Sequence, residues 1–314
     1  MENPPITIEL IDHILNDQPA RKVIVKESHY WFFHLYFSPY VKYPTADYQR
    51  EMFAITEDNN LNMAVIVAFR GSAKSTIMTM SYPLWAVLGK LQKKCVVIIS
   101  QTQQQARNHF LNLKRELEGN DFLHADLGPF RDESKEWGSY SLYLPHFNAK
   151  ILAASTEQSI RGIRHGANRP DLIICDDVED INSVKTRDSR EKMHTWFRGE
   201  ILPLGDKGTK VVVVGNLLHE DSLLMRLKND IVAKPAIGTF KEYPLKTQEG
   251  KILWPGKYSS EEDVELERQK IGDEKAWQRE FMLKIIADED QIVKRDWIQY
   301  YDKIPEDDKD YRYT

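Results

Sequence analysis

Ala68-Phe69-Arg70-Gly71-Ser72-Ala73-Lys74-Ser75 stands where an apolar run, residues 63–69, gives way to a stretch with helical character, residues 74–88. A loop that binds phosphate needs inward-facing backbone N–H groups, a flexible turn, a lysine for the β- and γ-phosphates and a hydroxyl for magnesium. Gly71 supplies the turn, Lys74 the cation and Ser75 the hydroxyl. The helix beginning at Lys74 brings the positive end of its dipole to the same place. Ser72, Ala73 and Thr76 complete the expected cradle. The usual pattern has glycine six residues and one residue before the lysine, and here those positions hold Ala68 and Ala73. A strand-to-helix turn that happens to contain lysine and serine is the competing reading of this segment, and the rest of the chain weighs against it.

Working outward, apolar β-branched runs alternate with amphipathic stretches, the signature of an α/β fold with a mostly parallel sheet flanked by helices. The spacing predicts core strands at 63–69, 95–100, 172–175 and 211–215. Each is short and apolar throughout, as a strand covered on both faces should be. Ala106, Phe110, Leu113 and Leu117 form a helical stripe over 103–118. Pro83 is expected to end or kink the helix 74–88. Segments 140–144 and 150–154 read as an additional hairpin before the third core strand, and 202–208 reads as a Pro/Gly loop. The expected organisation is a helical lead-in with an amphipathic start at 6–15 (1–55), a phosphate-loop NTPase core of the RecA-like kind (56–245) and a small helical subdomain with helices at 260–271 and 274–285 (246–290). A linker start, acidic at 305–310, follows (291–314).

Asp171-Leu172-Ile173-Ile174-Cys175-Asp176-Asp177-Val178-Glu179-Asp180 runs an apolar strand into four carboxylates. Like charges at this density repel unless a cation screens them, and a magnesium-nucleotide site provides one. Asp176, first after the strand, is expected to hold Mg²⁺ through water together with Ser75. A second carboxylate must orient and deprotonate the attacking water, and both Asp177 and Glu179 are candidates. Charge runs are more often solvated loops, but few follow a buried strand in a chain that also carries a phosphate loop. Roughly 100 residues lie between Lys74 and Asp176, room for an intervening strand beside the loop strand. ATP with Mg²⁺ is therefore the expected ligand.

Asn216 ends the run Val211-Val212-Val213-Val214-Gly215, where an amide can sense a γ-phosphate. Arg70 inside the loop and Arg161 in Ser159-Ile160-Arg161-Gly162 are candidates to stabilise transition-state charge, within one subunit or across to a neighbour. Gln49 has donor and acceptor groups suited to an adenine edge. Composition is 41% hydrophobic and 29% charged over 314 residues, which suits a folded chain, and no apolar run approaches the ~18 residues of a membrane span. No secretion signal is apparent at the N-terminus. With 43 basic and 48 acidic residues, no global basic field advertises nucleic acid. Cys95 and Cys175 lie inside predicted strands and are expected to be buried thiols, with no disulfide or zinc.

Together these pieces resemble the ATPase domain of the large terminase subunit, the DNA-packaging motor of tailed bacteriophages. The resemblance covers most of residues 30–245. It rests on Pro44 to Gln49, the arginine-bearing loop, Ser100-Gln101-Thr102, Ser159-Ile160-Arg161-Gly162, the acidic strand end, and Gly215-Asn216 with His219-Glu220-Asp221-Ser222. It implies an ATP hydrolase that assembles as a homo-oligomeric ring and threads double-stranded DNA into a procapsid, with a portal protein and a small terminase subunit as partners. It further implies a place in the host cytoplasm, transiently at the procapsid portal, with Arg70 on phosphate and Arg161 acting on a neighbour's nucleotide. Large terminases usually carry a second, RNase H-like nuclease domain. Beyond residue 290 only 24 residues remain, so ATP hydrolysis without DNA cleavage is the expectation. A helicase or remodelling ATPase should show a second RecA-like core, and none is evident after Tyr243. The two alanines leave a nucleotide-binding scaffold without hydrolysis as the other alternative.

Overall fold

Valine, isoleucine and alanine dominate strands β1 (Met63–Ala68), β2 (Cys95–Ser100), β5 (Leu172–Asp176) and β6 (Lys210–Gly215), and every position in them is buried. A computed structural model describes residues 14–131 and 136–285 of the protein. Its seven-stranded sheet has the order β3-β4-β2-β5-β6-β1-β7, with β3 (Ser141–Leu144), β4 (Ala149–Ser155) and β7 (Thr239–Tyr243) completing it. All neighbours are parallel except β3 against β4. Every parallel strand therefore ends at one edge, and there the loop after β1 meets the acids after β5. β6 lies between those two strands, with Val67 beside Gly215 and Asp176 beside Val214.

Successive side chains along a strand point to opposite faces, so the sheet feeds two cores. Ala64, Ile66, Ile98, Ile174 and Val212 pack under the N-terminal helices, the helix after the loop, and Trp254, Tyr258, Trp277 and Phe281 from the C-terminal segment. Val65, Val67, Val97, Ile173 and Val213 pack under Phe197, Ile201 and the helix Leu223–Ala233. Burying one such aliphatic side chain contributes about 1.5–3 kcal/mol, so the sheet interior is the main source of stability.

The four predicted core strands form, and the helix Gln103–Gly119 buries Ala106, Phe110, Leu113 and Leu117 as its stripe requires. Four expectations need correction. Segment 150–154 is no accessory hairpin: β4 pairs along its length with β2 and is a core strand, with only β3 antiparallel to it. Pro83 does not end its helix, because a π-helical segment, Thr76–Ser81, precedes Tyr82–Leu88. Tyr82 N–H donates to the Ile77 carbonyl, five residues back, and this wider turn accommodates the donor and space that proline denies an α-helix. Segment 202–208 starts helically as Leu202–Leu204, continuing the π-helical turn Phe197–Ile201. The second C-terminal helix stops at Glu280 rather than reaching residue 285. The amphipathic start at 6–15 falls almost wholly outside the described residues, as do the linker at 291–314 and its acidic run.

A buried ionic cluster ties the N-terminal helices to the sheet's flank. The Asp126 carboxylate accepts from Arg21 Nε at 2.6 Å, Arg21 Nη2 at 2.8 Å and the Tyr36 hydroxyl at 2.8 Å. These bonds hold Asp126 below the usual carboxylate range despite burial. Asp126→Asn keeps the shape but leaves the Arg21 charge buried without its counter-ion. We expect a loss of about 2–3 kcal/mol in urea unfolding, with the slope unchanged.

Candidate active site

Between β1 and its helix the chain turns left-handed at Gly71 (φ 76°) and again at Ala73 (φ 69°). The second of these is the position where the phosphate-loop pattern usually has glycine, and the alanine adopts the glycine conformation at a steric cost of about 1–2 kcal/mol. Ala68 has no such demand on it, since it is the last residue of β1, paired with Tyr243 of β7. Ala73→Gly should stabilise the protein by roughly 0.5–1 kcal/mol in urea melts, the relief of strain exceeding the extra freedom gained by the unfolded chain.

Surrounding groups hold the loop in this shape. Gln49 Nε2 and the Tyr48 hydroxyl both donate to the Ser72 carbonyl, at 3.0 and 2.9 Å, while Gln49 Oε1 accepts from Ala46 N–H at 3.0 Å. Both ends of the Gln49 amide are therefore committed within the protein, and it buttresses the loop instead of facing an adenine. On the outer side, Lys257 Nζ donates to the Gly71 carbonyl at 3.0 Å, its ammonium 5.2 Å from the ring centroids of Trp254 and Tyr258. Burial lowers its pKa. Arg70 N–H donates to the Glu280 carbonyl at 2.8 Å.

Lys74 is buried, and its Nζ donates to Asn216 Oδ1 at 3.1 Å, joining the loop to the end of β6. Ser75 and Thr76, half-buried, open the helix that follows. Asp176 is fully buried. Its Oδ2 accepts the Thr79 hydroxyl at 2.7 Å and lies 3.7 Å from His109 Nε2, whereas its Oδ1 is without a hydrogen-bond partner. A buried, unpaired carboxylate oxygen beside a phosphate loop suits a water bound to magnesium, so the residues present fit that ion.

The two remaining acids face different ways. Asp177 takes a left-handed conformation (φ 47°), and its N–H donates to the Val214 carbonyl at 2.9 Å. Although the residue keeps solvent exposure at the cleft, the protein crowding its carboxyl and then the charge of Asp176 push its pKa up to about 6, against the opposing pull of Lys74. Gly215 lies beside it: a Cβ there would press on the Leu224 side chain at 2.9 Å and would meet Asp177 Oδ1 at an ordinary contact distance of 3.6 Å. Glu179 points behind the site and accepts from Leu223 N–H at 2.8 Å, at the start of the helix Leu223–Ala233. Burial pushes it up to about 7, and its Oε2 is unpaired. A cavity of about 10 Å³, room for roughly one water, lies among Asp177, Glu179, Gly215, Asn216 and Leu224.

Arg70 reaches the site and Arg161 does not. Arg70 is mostly exposed, its Nη1 3.4 Å from Glu280 Oε2. Arg161 leaves the sheet after β4, with β2, β5 and β6 between it and β1, and pairs with Glu200 at 3.4 Å while 74% exposed. It borders a separate cavity of about 380 Å³, lined also by Arg164, Arg169 and Glu200. Sequence reasoning missed Thr79, His109, Lys257 and Glu280. Thr79 was accessible in principle, one helical turn beyond Ser75. The others arrive from elements remote in sequence and carry no local motif.

Sheet order, loop conformation and the acids opposite define a P-loop NTPase fold with one strand inserted between the loop strand and the acid strand. The same fold occurs in the HK97 bacteriophage large terminase, at 18% identity and a TM-score of 0.50, the match covering 77% of this chain and 50% of that one. It also occurs in the large terminase ATPase domain of Thermus phage P74-26, solved as an arginine-to-alanine mutant, at 12% identity and a TM-score of 0.50, over 81% of this chain and 98% of that one. The chain thus matches half of the HK97 protein and nearly all of the isolated P74-26 domain. No family model and no curated protein matches the sequence.

Proposed function

We propose that this chain is an ATP-hydrolysing motor domain of the terminase type, which uses hydrolysis to move double-stranded DNA into a viral procapsid. The observation that carries the reading is the convergence of Lys74, Asn216, Asp176 and Asp177 at one sheet edge, opposite a loop turned left-handed at Gly71 and Ala73. Lys74 and the loop amides neutralise the β- and γ-phosphates. Asp177 orients the attacking water and accepts its proton, a task for which its raised pKa suits it near neutral pH. Ser75 and Asp176 would hold magnesium, which when bound screens the phosphate charge. Asn216, bonded to Lys74, reports the state of the γ-phosphate to β6.

Arg70 lies at the phosphate edge, and the exposed Arg161 acts on the nucleotide of a neighbouring subunit in a ring. Double-stranded DNA, a portal protein and a small terminase subunit are the partners, met in the host cytoplasm and at the procapsid. The likeness in fold to two phage terminases supports this choice among P-loop enzymes. The test is phosphate release by the purified chain, with and without double-stranded DNA, at low and moderate salt. Release stimulated by DNA, with stimulation falling as salt rises, is expected. Release indifferent to DNA at every salt concentration would remove the motor and leave an ATPase.

A further inference from the structure

Glu280, the last residue of the helix Glu274–Glu280, enters the site from the far end of the described chain. Its Oε2 accepts from Asn216 Nδ2 at 2.8 Å and lies 3.4 Å from Arg70 Nη1, while Arg279 Nε donates to its Oε1 at 2.9 Å. Through Asn216 the same carboxylate is linked to Lys74, whose Nζ donates to the other end of that amide. Three side chains assigned above to the phosphates, Arg70, Asn216 and Lys74, thus converge, directly or through one amide, on a single internal anion. The arrangement has a backbone half too: the Glu280 carbonyl accepts from Arg70 N–H, and the Phe281 carbonyl accepts from Leu245 N–H.

A carboxylate and a phosphate are recognised by the same donors, guanidinium, ammonium and amide N–H, and two anions cannot share one set of them without repulsion. We infer that Glu280 is the counter-ion of the γ-phosphate ligands in the resting state, displaced by a nucleoside triphosphate but not by a diphosphate. Displacement withdraws the side-chain half of the clasp on the helix Glu274–Glu280. Occupancy of the γ-phosphate position is thereby transmitted to the C-terminal segment, where Trp277 and Phe281, stacked at 4.6 Å, anchor that helix to the core. Glu280 acts in this scheme as a positioning residue, and the inference rests on the proposed ATPase reading.

The experiment measures binding of ADP and of the non-hydrolysable triphosphate analogue AMP-PNP to the parent, Glu280→Gln and Glu280→Ala. Glutamine keeps the size and can still accept from Asn216, so it removes the charge alone. Both variants should bind AMP-PNP roughly five- to tenfold more tightly than the parent, with ADP changed by less than about twofold. Hydrogen exchange on the unsubstituted protein supplies a second reading: amides in 274–285 should exchange faster with AMP-PNP than with ADP. Equal effects on both nucleotides, or weaker AMP-PNP binding, would make Glu280 a structural ion pair and overturn the inference, as would exchange indifferent to the nucleotide. A parent that binds neither nucleotide removes the ATPase reading and this inference with it. A parent that binds both, with variants that do not discriminate between them, removes the inference alone.

Discussion

Lys74→Ala should lower steady-state ATP hydrolysis by at least about a hundredfold, equivalent to roughly 2.7 kcal/mol or more of transition-state stabilisation. The ammonium is buried, and the Asn216 amide oxygen 3.1 Å away is a neutral partner that a phosphate can readily replace. No other lysine projects from the loop, and Lys257 lies on its outer side, bonded to the Gly71 carbonyl, where it cannot take over. Because charge grows on the phosphates as the bond to the leaving group breaks, the loss should fall on kcat at least as heavily as on KM. Lys74→Met separates charge from packing, since its unbranched chain refills the space of the lysine stem; both variants should be equally inactive, with the melting temperature of the methionine variant the nearer to the parent's. Rates equal to the parent's in both would sink the phosphate-loop reading, whatever the fold.

How much of this was legible in the sequence follows from how each element earns its burial. β1, β2, β5 and β6 are covered on both faces, so their apolar runs announce them. β7 was missed because Thr239-Phe240-Lys241-Glu242-Tyr243 lies at the sheet edge and is buried only at Tyr243. Its neighbours supply what its composition lacks: it pairs with β1, and Tyr243 donates to Glu51 at 2.7 Å. The helix Leu223–Ala233 was passed over too, although Leu223, Leu224, Leu227 and Ile231 form a buried stripe at helical spacing. The loop reads as a phosphate loop despite its alanines because its lysine, serine, preceding strand and following helix do not depend on glycine. What the sequence could not convey is that Ala73 still adopts the left-handed turn. Glu280 and Lys257 are legible only in three dimensions, because their relation to the loop depends on how a segment 186 to 210 residues further on folds back over it.

The choice between Asp177 and Glu179, open at the level of sequence, becomes a pair of opposite expectations. Asp177→Asn should lower kcat by about a hundred- to ten-thousandfold, the usual worth of a positioned base, while leaving nucleotide affinity close to the parent's. Its charged neighbours are those of the phosphate site, Asp176, Lys74, His109 and Glu280, whereas those of Glu179 are Arg226 and Asp221 on the opposite side. Glu179→Gln should therefore keep most of the activity, since an amide oxygen can still accept from Leu223 N–H. Its effect should be on stability. The Glu179 carboxyl ionises at about 7 in the folded protein, against 4.5 for an unperturbed glutamate, so between those values the unfolded chain releases a proton that the folded one retains. Stability consequently falls as pH rises through that window, by an amount on the order of 2 kcal/mol, and levels off above it. Glutamine cannot ionise, so the variant should be more stable than the parent at pH 8 and indistinguishable from it near pH 4.5, measured by urea unfolding at each pH. If Glu179→Gln abolishes hydrolysis while Asp177→Asn does not, the roles are reversed, and the water-sized cavity between the two acids is being worked from its other wall.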